Sequence, residues 1–186
     1  MNAGEVSVVV RRASPADVAA LHDLAQAVAS LPLMVRYGAR PERLASDLSR
    51  LVAPNSDGVQ PPAEELLVAS PAGADPSEPL LGFARVQLGP SSGLGHFGRG
   101  GYLRLIALRP GQQGRGTGRH LLSAVEETVR ARHPDLFLLT SDFNTSAQRF
   151  YERAGYSRVG ALPDFVKVGI TEIIYWKRLA PPVGAE

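Results

Sequence analysis

The sequence predicts a single mixed α/β domain with a parallel strand–helix–strand crossover in its second half. Three observations carry this. Short β-branched runs alternate with segments of helical apolar spacing, in the order β-α-α-β-β-β-α-β-α-β-β. GYLRLIALRP (101–110), a helix at 116–132 and LFLLTS (136–141) make one βαβ unit, which should be right-handed with parallel strands. The 186 residues, 44% hydrophobic and 20% charged, suffice for one buried core and are ordinary for a soluble globular protein. No internal repeat or second domain is evident; residues 1–178 are expected to form the domain and 179–186 a flexible C-terminal tail.

Each element has its own signal. EVSVVVRRA (5–13) is short and β-branched, a strand. In SPADVAALHDLAQAVAS (14–30), Ser14 is an N-cap and Pro15 a first helical residue, with Val18, Leu21 and Leu24 on one face. LPLMVRYGA (31–39) reads as an irregular apolar connector. Leu44, Leu48 and Leu51 at helical spacing predict a second helix over 40–53. Pro, Asn and Gly then make 53–64 a loop. ELLVAS (65–70) and PLLGFARVQLG (79–89) read as the strands of a hairpin with a long polar tip. A Gly-rich loop (90–100) precedes the 101–110 strand. After the crossover come a short helix at 145–154, two closing strands in YSRVGAL and TEIIYWKRL, and the tail APPVGAE.

Composition removes several function classes. With no Cys, disulfides, thiolate catalysis and thiolate metal sites are excluded. His22, His96, His120 and His133 show no metal-ligand spacing, so no metal is expected. A formal charge of +2 gives no global pull toward nucleic acid or an anionic membrane. No apolar stretch approaches the ~20 residues of a membrane span. MNAGEVSVVVRRAS lacks the basic-then-apolar order of a secretory leader. A cytoplasmic location is therefore expected. Lys167 and Lys177 are the only lysines among 20 basic residues. Arg suits bidentate phosphate contacts, although a general compositional bias explains its excess equally well.

Chemistry concentrates in RPGQQGRGTGRHLL (109–122). Leu121, Leu122, Val125 and Val129 form one stripe of the following helix, which ends in Arg130, Arg132, His133 and Pro134. The first turn of a helix leaves up to about four N–H donors unpaired and about half a positive charge. Gly114, Gly116 and Gly118 let such donors approach an anion closely, and Arg115 and Arg119 can fork onto phosphate oxygens. A flexible turn with exposed arginines is the plainer reading, but it would not need three glycines. A nucleotide P-loop requires a Lys absent here, and the glycine spacing does not fit G-x-G-x-x-G. What fits is Q-x-x-G-x-G, in Gln113, Gly116 and Gly118.

This stretch resembles the pyrophosphate-binding motif of GNAT-superfamily acyltransferases, which use acetyl-CoA. NTSAQRFYERAGY (144–156) fills every position of that family's N-x-x-A-x-x-F-Y-x-x-x-G-F/Y segment, with Asn144, Ala147, Phe150, Tyr151, Gly155 and Tyr156. Read physically, Asn144 caps the helix, Gly155 lies just past its end, and Tyr151 has its hydroxyl free to reach a ligand. The resemblance covers residues 79–178.

The resemblance implies a mostly antiparallel central sheet of six to seven strands with a splayed central parallel pair, flanked by about four helices. It implies that backbone groups of Ile106, Ala107 and Leu108 pair with pantetheine, one N–H polarising the thioester carbonyl. Gln113, Gly114, Arg115, Gly116, Thr117, Gly118 and Arg119 would bind the pyrophosphate, and Asn144 and Ala147 would lie on the cofactor side. Tyr151 would protonate the departing CoA thiolate. The acceptor is a primary amine of a small molecule or a protein.

An alkyl amine is mostly protonated at neutral pH, with a pKa near that of Lys, ~10.4, so a base is required. Many relatives supply a Glu from the central strand or its neighbour, but GYLRLIAL has no acid. Glu172, Asp164, Asp142, His96 or a water chain stay open. Leu33, Met34, Tyr37, Phe97 and Phe165 wall an acceptor pocket or belong to the core, the core being preferred for Leu33 and Met34. The missing strand acid keeps a non-catalytic acyl-CoA-binding module as an alternative. A nucleic-acid-binding domain ranks last, for want of basic–aromatic interleaving. A homodimer is left open.

Overall fold

In the computed structural model, the residues described are 7–53, 64–75, 78–88 and 100–179. Strands β1 (Val8–Arg12), β2 (Glu64–Pro71), β3 (Gly82–Gln87), β4 (Gly100–Leu108), β5 (Asp135–Ser141), β6 (Ser157–Pro163) and β7 (Thr171–Arg178) form one sheet ordered β1-β2-β3-β4-β5-β7-β6. The helices are α1 (Val18–Ala29), α2 (Pro32–Tyr37), α3 (Pro41–Val52), α4 (Thr117–Arg130) and α5 (Thr145–Arg153). The mixed α/β class predicted from the sequence is the observed one. β4 and β5 are parallel from Gly100↔Asp135 to Leu103↔Leu138, where their ladder ends while β5 continues to Ser141. β1 with β2, β5 with β7, and β6 with β7 are antiparallel.

The expected connector at 31–39 is instead partly helical, because Pro32 fixes the first-turn φ and Gly38 ends α2 in the left-handed conformation at φ 75°. Six residues are too few for a 3.6-residue period to show in the sequence. The Gly-rich loop at 90–99, the loop at 54–63 and the tail at 180–186 lie outside the described residues. Among the described residues, no helix is long and apolar enough to cross a membrane.

The chain groups into two compact units. The first comprises Met1–Arg85 and Leu105–Val125. Its core joins Leu21, Leu24 and Val28 of α1 to Leu48 and Val52 of α3, Leu66 and Val68 of β2, and Phe83 of β3. α1 is entered through a short 3-10 turn behind Ser14. There the buried Asp17 carboxylate accepts from the Ser14 N–H and hydroxyl at 2.8 and 2.9 Å and from Arg11 at 2.6 and 2.7 Å. These bonds hold Asp17 at a pKa of about 2, the Arg11 bond outweighing desolvation.

The second unit comprises Val86–Arg104 and Glu126–Glu186. Leu136, Leu138, Ile173 and Tyr175 of β5 and β7 are buried with Val129 of α4. Gly101 admits Val129 closely: a Cβ there would stand 2.7 Å from the Val129 side chain. Lys177 ties the unit together through Glu126 (2.8 and 2.9 Å) and the Ala154 carbonyl (2.9 Å).

Candidate active site

The glycine loop lies in the first unit, between the end of β4 and the start of α4. Gly111, Gly114 and Gly116 sit at φ of 84°, 75° and 87°, a region other residues enter only with strain. A Cβ added at any of the three would meet nothing within 4 Å, so conformation rather than protein packing requires glycine there. Gly118 has no positive φ, which leaves two of the three glycines in the Gln113–Arg119 motif demanded by backbone shape. The Arg119 and His120 N–H groups both turn back to the Gly116 carbonyl, at 2.9 and 3.1 Å. Among the described residues the N–H groups of Gly116, Thr117 and Gly118 take no partner.

Side chains sharpen the picture. Arg115 and Arg119 are exposed and carry no ion pair among the described residues. Arg109, counted from sequence with the loop's charge, is otherwise engaged: it pairs with Asp23 and donates to the Leu80 carbonyl. The Gln113 side chain accepts from the Gly111 N–H at 3.0 Å, closing the turn. Thr117 is 1% exposed and its hydroxyl has no hydrogen-bond partner. Free backbone donors, two open arginines and an orphaned hydroxyl at the positive end of a 14-residue helix suit a phosphate group. Upstream in the same unit, Ile106, Ala107 and Leu108 form the end of β4, followed by the Arg109 N–H bonded to the Leu81 carbonyl at 2.9 Å.

The second motif lies in the other unit. Asn144 caps α5, its side-chain oxygen accepting from the Ala147 N–H at 3.3 Å. Gly155 follows the helix at φ 86°, as the sequence reading requires. Gln148 anchors the helix to the end of β5 by donating to the Ser141 and Asp142 carbonyls at 3.0 and 2.8 Å. The sequence expected an accessible Tyr151 hydroxyl, but the residue is 5% exposed. Its ring lies 5.2, 5.7 and 6.1 Å from those of Phe150, Tyr156 and Tyr175.

The three tyrosines differ in their hydroxyls. Tyr156 donates to Glu126 at 3.0 Å and Tyr175 to Glu152 at 2.9 Å. Tyr151 has no hydrogen bond among the described residues. Burial and the neighbouring Tyr102 push its pKa well above that of a free phenol, so it is protonated throughout the neutral range. Tyr102, also buried, is raised by desolvation and by the Glu172 charge, with Arg104 opposing.

The candidate bases separate. The Asp164 carboxylate accepts from the Gly169 N–H at 2.6 Å and pins the turn between β6 and β7. The Asp142 side chain is exposed, and His96 lies outside the described residues, as does Phe97. Glu172 is buried on β7, opposite Ser141 of β5. Met34 packs against the core of the first unit; Leu33, Tyr37 and Phe165 are half-buried. Sequence reasoning missed Tyr102 and Ser141, whose only local signal is strand alternation.

Known proteins share both the sequence pattern and the fold. A family model described as the acetyltransferase (GNAT) family matches residues 38–156. A GNAT-family protein structure from Desulfovibrio desulfuricans is 25% identical and superposes with a TM-score of 0.68 over 94% of this chain and 100% of that one. The ribosomal-protein-S18-alanine N-acetyltransferase of Escherichia coli is 17% identical, with a TM-score of 0.66 over 97% and 99% of the two chains. The yncA protein of Salmonella typhimurium, solved with its cofactor acetyl-CoA, is 20% identical with a TM-score of 0.65 over 96% and 98%. The last two likenesses concern the fold alone. With a model match across more than half of its length, carrying both the glycine loop and the Asn144–Tyr156 segment, the chain belongs to the GNAT family of acetyltransferases.

Proposed function

We propose that this chain, with residues 1–178 as one catalytic domain, transfers an acetyl group from acetyl-CoA to a primary amine of a small-molecule or protein acceptor. The amine attacks the thioester directly while both substrates are bound. The glycine loop is the observation that carries the reading. Its free N–H groups at Gly116, Thr117 and Gly118, the unpaired Arg115 and Arg119, and the orphaned Thr117 hydroxyl fit the diphosphate of CoA. Gln113 and Gly114 shape the loop. Backbone groups of Ile106, Ala107 and Leu108 take the pantetheine arm, and one of their N–H groups polarises the thioester carbonyl. Asn144 spends its side-chain oxygen on the helix cap and keeps its amide donors for the cofactor, beside Ala147.

Tyr151 delivers the proton that the CoA thiolate needs as it leaves. Burial keeps this phenol protonated, and no protein acceptor competes for its hydrogen. The transfer has a condition. An unperturbed phenol near pKa 10 gives its proton to a thiolate near 8.5 at a cost of about 2 kcal/mol, and the elevated pKa of Tyr151 raises that cost. Tyr151 must therefore regain a proton as it gives one up.

Calorimetric titration with acetyl-CoA, run beside CoA, NAD and ATP at fixed salt, tests the reading. Selective binding of acetyl-CoA and CoA, lost in Gly116→Glu, is the expected result. A folded wild-type protein that binds neither refutes it. The absence of an acid from β4 favours a second reading, an acyl-CoA-binding module without turnover. Such a protein would bind acetyl-CoA yet acetylate no amine.

A further inference from the structure

One face of the β4–β5–β7 ladder in the second unit carries polar groups that its packing does not explain. Residues facing each other on adjacent strands project to the same side of a sheet, and the side alternates along each strand. The pairs Tyr102↔Phe137, Phe137↔Trp176, Leu139↔Ile174 and Ser141↔Glu172 thus put Tyr102, Ser141 and Glu172 on one face. Phe137, Leu139, Ile174 and Trp176 are its apolar part. Glu172 is 3% exposed and Ser141 2%. The Ser141 hydroxyl is buried with no hydrogen-bond partner. The Asp142 N–H bonds the Thr171 carbonyl at 2.9 Å, so the adjoining Ser141↔Glu172 pair is of the non-hydrogen-bonded kind, in which side chains stand closest. An orphaned hydroxyl beside a buried carboxylate is suited to a ligand that donates several hydrogen bonds and carries positive charge.

Tyr102 relates this pair to the proposed acid. The Glu172 charge acts on the Tyr102 phenol, and Tyr102 in turn acts on Tyr151. Tyr102 therefore lies within electrostatic reach of both.

We propose that Glu172 binds the acceptor as a primary ammonium on an apolar stem and is the general base that deprotonates it, with the Ser141 hydroxyl accepting one of its N–H bonds. This rests on the acetyl transfer proposed above. Glu172 takes one proton from the ammonium and releases it to solvent. The freed nitrogen lone pair forms the C–N bond, the C–S bond breaks, and its electron pair leaves on sulfur, which takes the Tyr151 proton. The second proton shed by nitrogen returns to Tyr151, with Tyr102 as the group that can pass it. Amine in its protonated form plus acetyl-CoA becomes amide, CoA thiol and one proton in solution.

The test uses the full chain with 2-phenylethylamine and n-hexylamine as probes. Wild type is expected to bind and acetylate them. Glu172→Gln should bind acetyl-CoA like wild type but lose about 10²-fold or more in kcat, with part of the rate restored in Glu172→Asp. Binding of 2-phenylethylamine, measured without any acyl donor, should weaken about tenfold or more in Glu172→Gln, while 2-phenylethanol binds both proteins alike. Ser141→Ala, which removes only an orphaned hydroxyl and keeps the fold, should weaken amine binding severalfold. Equal amine binding by wild type and both variants overturns the proposal, as does a kcat in Glu172→Gln within threefold of wild type. Failure of wild type to bind either amine overturns the acceptor class. Because the binding arm needs no acetyl-CoA, failure of the transferase reading shows separately, in the calorimetry.

Discussion

Replacing Gly116 by Ala separates what the loop's shape costs from what it holds. At φ 87° an Ala is forced toward the left-handed region, while its Cβ meets no protein atom within 4 Å. The destabilisation is then backbone strain alone, about 1–2 kcal/mol. For a chain of 186 residues that lowers the melting temperature by about 2–8 °C. Gly73→Ala is the matched control: its φ is 76°, its Cβ also meets nothing, and it lies in the turn after β2. Both variants should lose similar stability by scanning calorimetry. Only Gly116→Ala should weaken acetyl-CoA binding, by about tenfold or more, which is about 1.4 kcal/mol, because its methyl group stands among the N–H donors at the start of α4. If Gly73→Ala weakens binding as much, or Gly116→Ala leaves it unchanged, the loop does not hold the diphosphate.

Other consequences follow from single contacts. Tyr151→Phe deletes a hydroxyl that no described residue bonds, so the melting temperature should stay within about 2 °C while kcat falls about 10²-fold; a large stability loss at full activity would contradict the role given to the phenol. Asp17 is folded at a pKa of about 2 against 3.8 unfolded, so its contribution, about 2 kcal/mol, is present above pH 3.8 and disappears as pH falls toward 2. Urea unfolding from pH 2 to 5 should show that rise in wild type and a flatter profile in Asp17→Asn. Gly101→Ala drives a Cβ to 2.7 and 2.8 Å from the Val129 methyl groups and should cost about 1–3 kcal/mol, much of it recovered by adding Val129→Ala.

Local chemistry was legible in the sequence wherever one residue sufficed to signal it. Asn144 and Gly155 bound α5 because a side-chain acceptor and a left-handed glycine act within a few residues of the helix they close. The crossover from β4 through α4 to β5 was readable because each segment is long enough to show its own period. Short α2 was not. Spacing also overstated the glycine loop: Gly118 completes the motif, yet only Gly114 and Gly116 within it have a backbone that demands glycine. Charge misled in a similar way, since nothing local shows that Arg109 is drawn to Asp23, far upstream in the chain. The face shared by Tyr102, Ser141 and Glu172 depends on β7 inserting between β5 and β6, and on its register. Period-two alternation says which residues share a side within one strand, but not which strand lies next to it or in what alignment.

Three hydroxyls distinguish this chain from one that packing alone would produce. Tyr156 and Tyr175 sit in the same aromatic cluster as Tyr151, and each spends its hydroxyl on a carboxylate. At Tyr151 a Phe would fill the same space without burying a polar atom. A Val at Thr117 and an Ala at Ser141 would likewise spare the first turn of α4 and the end of β5 a desolvated oxygen, a penalty of about 1–3 kcal/mol each. Folding stability gives no reason for any of them. Each nonetheless lies on an element given a separate task in acetyl transfer: α4 for the diphosphate, α5 for the leaving thiolate, β5 for the amine. Bound substrate supplies the hydrogen bonds that the protein lacks, so saturating acetyl-CoA should make the polar choice at Thr117 favourable. Thr117→Val is then expected to raise the melting temperature of the free protein and to reduce the further rise that acetyl-CoA produces; an equal rise in both proteins would show that the hydroxyl does not meet the ligand.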